Sequence, residues 1–304
     1  ALKPFFLASS ILVPLFSLFL LFAIQGGNET RITLGFVLWG ISFMILNVCG
    51  LPFIMRSAPE DVVSEAISLN FATWSLATII SGTLINMLSG VGELVVGGFV
   101  IVMDEFHIML IIISISSLAV LFVLFMREAK PRSTSSDFLS NFKMLKSDYD
   151  WKLISRVLFP NMLIAIGAGL TIPFVNLFFN SVFLVDSDQF SLIGAVTAGI
   201  VFLSMLVIPI IRRRFGFRVA ILIPQWLAIF FLVVLALTQI ASAYSWAFYL
   251  AIAAFMLRQP LMNMAGPMTS ELGMKYVGRR NQELISAMSS SIWSASWFIS
   301  AKIF

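Results

Sequence analysis

Apolar and polar positions fall in long alternating blocks along this chain. Nine apolar segments run over roughly 5–24, 32–55, 64–86, 108–126, 157–180, 190–211, 218–240, 245–268 and 283–303. Each is near the ~20 residues that carry a helix across a ~30 Å hydrocarbon core. A barrel strand crosses in about ten residues of alternating polarity, a pattern none of the nine shows. Backbone amides in lipid must bond within their own segment, and a continuous helix achieves that. The pattern predicts an all-α polytopic membrane protein with nine transmembrane helices.

The polar blocks orient those helices. If the spans alternate, sixteen of the nineteen Lys and Arg fall on one side. They are Lys3, Arg56, the seven between 127 and 156, Arg212, Arg213, Arg214, Arg218, Lys275, Arg279 and Arg280. The other side carries Arg31 with Glu29, Glu93, Asp104, Glu105, Asp186 and Asp188. Such asymmetry predicts that the basic side is cytoplasmic, as in an inner or plasma membrane. One missed or extra span would scramble it, so charge also checks the span count. The longest polar block, 127–152, reads as a cytoplasmic linker between an N-terminal bundle, 1–126, and a C-terminal bundle, 153–304. Within it, "FLSNFKMLK" has the pattern of a short amphipathic helix lying on the membrane surface.

Composition agrees. Sixty per cent of residues are hydrophobic and 11% charged, and the mean hydropathy is +1.00. A soluble chain carries about 25% charged residues. The apolar excess predicts a lipid bilayer as the main partner. The net charge of +4 marks loops, and no aromatic-basic interleaving suggests nucleic acid. Cys49 is the one cysteine and His107 the one histidine. Neither a disulfide framework nor a metal site is expected, and no cofactor. Intramembrane enzymes need paired carboxylates, an H-x-x-E-H motif or a serine beside a histidine in the membrane. None is visible, so the chain does not read as an enzyme.

Two stretches echo each other. "WSLATIIS", 74–81, and "WSASWFIS", 293–300, agree at four of eight positions. Asn47–Gly50 meets Asn263–Gly266, and Ile67–Ser68 meets Ile285–Ser286, at nearly the same offset. Each pair sits at the same place relative to a loop on the basic side. The repeat is therefore parallel, about an axis along the membrane normal, and two such halves can rock around a site at their interface.

Local motifs then resemble the major facilitator superfamily. "IIRRRFGFR", 210–218, resembles the second-half counterpart of the family's G-x-x-x-D-R-x-G-R-R loop. Arg214, Phe215 and Gly216 fit its R-x-G part, with Arg213 beside it, while the leading glycine and the acidic residue are absent. "GAGLTIPFVNLFF", 167–179, resembles the seventh helix of bacterial members, and "LRQPLMNMAGP", 257–267, the tenth. "PEDVVSEAISLNFATWS", 59–75, resembles the loop before the fifth, without its usual arginine. The resemblance covers the whole chain. It implies two pseudo-symmetric bundles, with helices three to eleven of twelve present. The start at Ala1 and the end at Phe304 inside an apolar run read as those of a fragment.

The resemblance also implies that 32–55, 157–180 and 245–268 line a central cavity. Arg258 stands out there, because no other charged residue occurs between 219 and 270. An arginine at mid-helix costs about 2.5–3.5 kcal/mol to insert. Either it binds an anionic group of a solute or of another helix, or it caps backbone carbonyls and fixes packing. Asn47, Asn161, Asn176, Gln259 and Asn263 could each hydrogen-bond a solute or a neighbouring helix. Trp39 and Trp74 could stack on a ring or simply pack. Gly167, Ala168 and Gly169 read as mechanical, letting helices approach or bend near Pro173. Arg213, Arg214, Gly216 and Arg218 form the expected gating loop on the basic side. Acidic residues are expected in loops and at span ends, none at mid-membrane. Asp104, Glu105 and His107 form either a proton-uptake site or a solvated face.

The expected function is secondary transport of a small solute by alternating access, as efflux or anionic-solute transport, with a proton as a candidate coupling ion. The competing reading is a non-transporting sensor or assembly protein that keeps a carrier-like fold.

Overall fold

The computed structural model describes residues 2–96, 99–126, 149–278 and 281–303. The linker from 127 to 148, and with it the expected surface helix, lies outside them, as do Arg279 and Arg280. Contacts divide the chain into two units, 1–57 with 81–149 and 58–80 with 150–304.

In the first unit, α1 (Lys3–Gln25) packs against α2 (Glu29–Ser57). The interface uses small residues, as lipid-embedded helices require. Ser9 Oγ donates to the Ser42 carbonyl at 2.8 Å, and both serines are buried. Gly35 faces Leu20 so closely that an added Cβ would lie 3.0 Å from its side chain. Leu2, Phe6 and Cys49 form a small core with Phe53, Val123 and Met126.

α3 (Val63–Ser89) begins in the second unit and ends in the first. After it comes a feature the apolar pattern did not predict, an antiparallel hairpin of β1 (Glu93–Val96) and β2 (Phe99–Val102) with Glu93 opposite Val102. The segment "ELVVGGFVIV" is rich in β-branched residues around a Gly-Gly pair, a hairpin signal that its position between two apolar spans had masked. The fourth span is broken into α4 (Glu105–Ser117) and α5 (Ala119–Phe125).

In the second unit the fifth span is also interrupted. α6 (Trp151–Gly169) gives way to a 3₁₀ turn, Ile172–Phe174, and then α7 (Val175–Phe183). Pro173 lacks the N–H that would continue the ladder. α8 (Ser187–Leu237) runs 51 residues, enough for two spans. Gly216 divides it with φ 79° and ψ 173°, a backbone state open almost only to glycine. α9 (Ser245–Val277) follows, ended by Gly278 at φ 73°, and then α10 (Gln282–Ile303). α8 packs extensively on α9, and α6 packs on α10.

Among the described residues, six helical segments are long and apolar enough to cross a membrane by length and composition, and one of these is the double-length α8. α9 and α10 carry more polar residues, yet they supply much of the buried surface of their unit. Large apolar side chains such as Phe122, Phe125, Leu184 and Ile240 are nearly fully exposed, at 79–85%. An aqueous surface does not tolerate this many, whereas lipid does. The residues paired by the sequence echo are alike in burial. Ile67, Ser68, Ile285 and Ser286 are all 3% exposed or less.

Candidate functional site

Polar chemistry in the second unit gathers at two levels. The first is at the basic end. α9 runs nine residues past its apolar stretch, and this extension carries Glu271 into the helix and into complete burial. Three donors converge on that carboxylate. Ser64 Oγ, at the start of α3, donates to Oε2 at 2.6 Å. Arg212, in α8 just before the Gly216 break, donates to Oε1 at 3.1 Å. Lys275, one turn along α9, donates to Oε1 at 2.6 Å. Arg212 and Lys275 also sit over the Phe217 ring, at 4.6 and 5.6 Å from its centroid. A buried carboxylate is tolerable when paired and hydrogen-bonded in this way. Beside this cluster Arg213 pairs with Glu65 of α3 at 2.6 Å and donates to the Asp61 carbonyl at 2.6 Å.

The expected gating residues therefore divide. Arg213 is engaged, and Gly216 supplies the break. Arg214 lies over its neighbour Phe215 at 5.4 Å. Arg218 borders a shallow apolar hollow with Ile221, Leu222 and Leu272. Arg212, outside the motif match, is the residue that meets the carboxylate. Ser64, Glu65 and Glu271 had not been singled out. Spacing offered a signal for Glu271: Glu271–Lys275 is an i,i+4 pair, and Gly278 is a typical helix stop.

The second level is midway along α9. Arg258 is 4% exposed. Its Nη1 donates to Gln259 Oε1 at 3.1 Å, and Asn263 Nδ2 donates to the Gln259 carbonyl at 2.8 Å. The structure thus joins three of the predicted residues into one polar strip. Asn161 of α6 is half-buried and Asn176 of α7 is exposed. Trp74 of α3 is 53% exposed. In the first unit, Trp39 stacks on Phe43 at 5.3 Å with 4° between the rings. Asn47, one turn on, donates to the Phe43 carbonyl at 3.3 Å. Trp39, Phe43 and Asn47 follow each other at i, i+4 and i+8 on one face of α2.

Asp104 caps α4. It accepts the His107 backbone N–H at 2.9 Å, and His107 Nδ1 lies 2.6 Å from the same oxygen. The backbone bond first, then the side-chain bond, holds the Asp104 carboxyl below its ordinary range. A depressed carboxyl stabilises the cap above that range, and the effect is lost as pH falls through the lowered value. Both groups are solvent-exposed, so the cluster is explained by capping. Asp104→Ala should speed hydrogen exchange of the amides at 105–108 several-fold at neutral pH and leave α1 and α2 unchanged.

These elements define a polytopic α-helical membrane protein. Solved structures identify the architecture. The chain superposes on the major facilitator superfamily transporter FucP in its outward conformation with a TM-score of 0.67, at 15% identity. The match covers 100% of this chain and 75% of that one. A bacterial homologue of the iron transporter ferroportin, also outward-facing, matches at TM-score 0.68 and 12% identity over 99% of this chain and 75% of its own. A D-xylose–proton symporter matches at 0.67 and 13%, covering 99% and 72%. The fold is that of the major facilitator superfamily. No family model and no curated protein sequence matches the chain.

Proposed function

We propose that the protein is a secondary active transporter of a small solute and works by alternating access in a cell membrane. The halves 1–126 and 153–304 rock about a central site, with the basic loops in the cytoplasm and 127–152 as the linker. The observation that carries this reading is the Glu271 cluster. By the repeat, α3 belongs to the first half, while α8 and α9 belong to the second. Ser64 and Glu65 therefore tie one half to the other through Glu271 and Arg213. These bonds are short-range and directional, so they hold in one state and break when the basic side opens. FucP and the ferroportin homologue, both described as outward, share the fold, which supports reading the basic side here as closed. E. coli FucP is described as a fucose:proton symporter and the xylose carrier as proton-coupled, so a proton is the first coupling ion to test.

The test is flux into proteoliposomes holding the full-length protein. Asp61→Cys and Arg213→Cys in a background with Cys49 and every other cysteine of the full-length protein replaced by serine, joined by a short cleavable bifunctional thiol reagent, should bring flux to background. Cleavage of the link should restore it. Undiminished flux through the linked protein would refute the rocking account. Absence of flux for any solute in the full-length protein without these substitutions would favour the sensor reading.

A further inference from the structure

Arg258 lies near the middle of α9, and its surroundings define a narrow polar window. Ala251, Ala254 and Phe255, on the turns before it, belong to an apolar cluster with Val175, Phe179, Val185 and Leu235. Met264 and Met268, on the turns after it, belong to another with Ile208 and Ala220. Between the two lies the stretch that holds Arg258, Gln259, Pro260 and Asn263.

Within that window the guanidinium has one hydrogen-bond partner among the described residues, the neutral Gln259 Oε1. No backbone carbonyl accepts from it there, so the carbonyl-capping role is not what holds it. No carboxylate is within ion-pair distance among those residues either. Glu271, further along the same helix, is 13 residues away, about 20 Å at 1.5 Å per residue. A cation 4% exposed with an amide oxygen as its one partner among the described residues carries a charge that those residues leave unbalanced.

From this we infer that Arg258 and Gln259 form the binding site for the carboxylate of a small hydrophilic monoanion. Rested on the transporter reading above, that monoanion is the transported solute. The guanidinium presents a planar fork that matches a carboxylate bidentately. Gln259 spends its oxygen on Arg258, which leaves its amide N–H₂ as a further donor toward the same ligand. Asn263, one turn on and exposed, suits a hydroxyl at the ligand's far end. Charge count selects the class. One cation balances one negative charge, and a phosphate dianion would leave an excess negative charge between two apolar clusters.

The experiment measures binding in full-length protein in lipid nanodiscs by thermal shift, with equilibrium dialysis for the affinity. The probes are lactate, gluconate and glucuronate, with glucose as the neutral analogue and glucose 6-phosphate as the dianion. At least one carboxylate should raise the melting temperature by several degrees, and glucose and glucose 6-phosphate at equal concentration should not. Arg258→Gln should abolish the shift. Arg258→Lys, which keeps charge without the fork, should weaken affinity at least about tenfold, and Gln259→Ala should weaken it several-fold. Should Arg258→Gln not fold, the other two variants carry the test. The inference is overturned if no carboxylate stabilises the protein, if glucose or the phosphate ester does so equally, or if the shift survives in all three variants. Flux of a neutral solute without carboxylate binding would remove this inference and keep the transporter reading. Carboxylate-dependent stabilisation without any flux would do the reverse.

Discussion

Glu271→Ala should lower the melting temperature of the detergent-solubilised protein by many degrees and open its basic face. The carboxylate is fully buried, and three donors point at it. Removing it strands Arg212, whose side chain is only 21% exposed. Breaking a buried pair by deleting one partner costs about 3–5 kcal/mol. Lys275 is 36% exposed and an i,i+4 neighbour, so Lys275→Ala should cost less, about 0.5–1 kcal/mol. Arg212→Ala should fall nearer the glutamate variant, since it leaves the carboxylate to Lys275 and Ser64 alone. Glu271→Gln should be intermediate because the amide can still accept from Ser64. A cysteine placed at Val62, 37% exposed, should react faster with a membrane-impermeant thiol reagent in Glu271→Ala if the cluster holds the basic side shut. A melting temperature within a degree of the parent would show that the cluster bears little stability. Unchanged labelling would show that it holds no gate.

The same residue shows how far the sequence could be read. The apolar pattern located the long helices, six of which among the described residues are long and apolar enough to cross a membrane, because lipid as solvent imposes a length and an apolar character on each. It located their ends less well. The α9 pattern fades at 268, but the helix continues to Val277, because tertiary partners stabilise the polar turns that lipid does not. Glu271 thus read as a loop residue. Nor could periodicity reveal that the start of α3 would be claimed by the second unit. That depends on Arg213 reaching Glu65 across 148 positions of sequence. Arg258 was conspicuous as a lone charge, but its bond to Gln259 was not foreseeable from spacing. Adjacent residues on a helix do not ordinarily face each other.

Gly216 and the α6 break show the reverse, where local chemistry was legible. A glycine after three arginines, in a short gap between two apolar runs, anticipates the positive φ that splits α8. Pro173 anticipates the 3₁₀ turn between α6 and α7. These two breaks end α6 before α7 and divide α8 in two.

The second large effect is expected at Gly169, and a glycine two residues earlier provides its control. Gly169 ends α6 against α10. A Cβ there would lie 2.9 Å from the Ser296 carbonyl oxygen and 3.2 Å from its carbon. Both are backbone atoms of a packed helix, so neither can turn aside as a flexible side chain could. Ser300 Oγ donates to the Gly169 carbonyl, which the end of α6 has left without a helical partner. Gly169→Ala must push α10 away and stretch that bond, at a cost of about 1–3 kcal/mol. Gly169→Leu should prevent the two helices from meeting at all. Around Gly167 nothing lies within 4 Å of an added Cβ. Gly167→Ala should therefore be neutral or stabilising, by up to about 1 kcal/mol from helix propensity. Detergent melts of the full-length protein should separate the two alanine variants by several degrees in opposite directions. Ser300→Ala should reproduce part of the Gly169→Ala loss, because it removes the bond without the clash. Equal melting temperatures for Gly167→Ala and Gly169→Ala would mean that α6 and α10 do not meet at Gly169, and the packing described for this pair would be wrong.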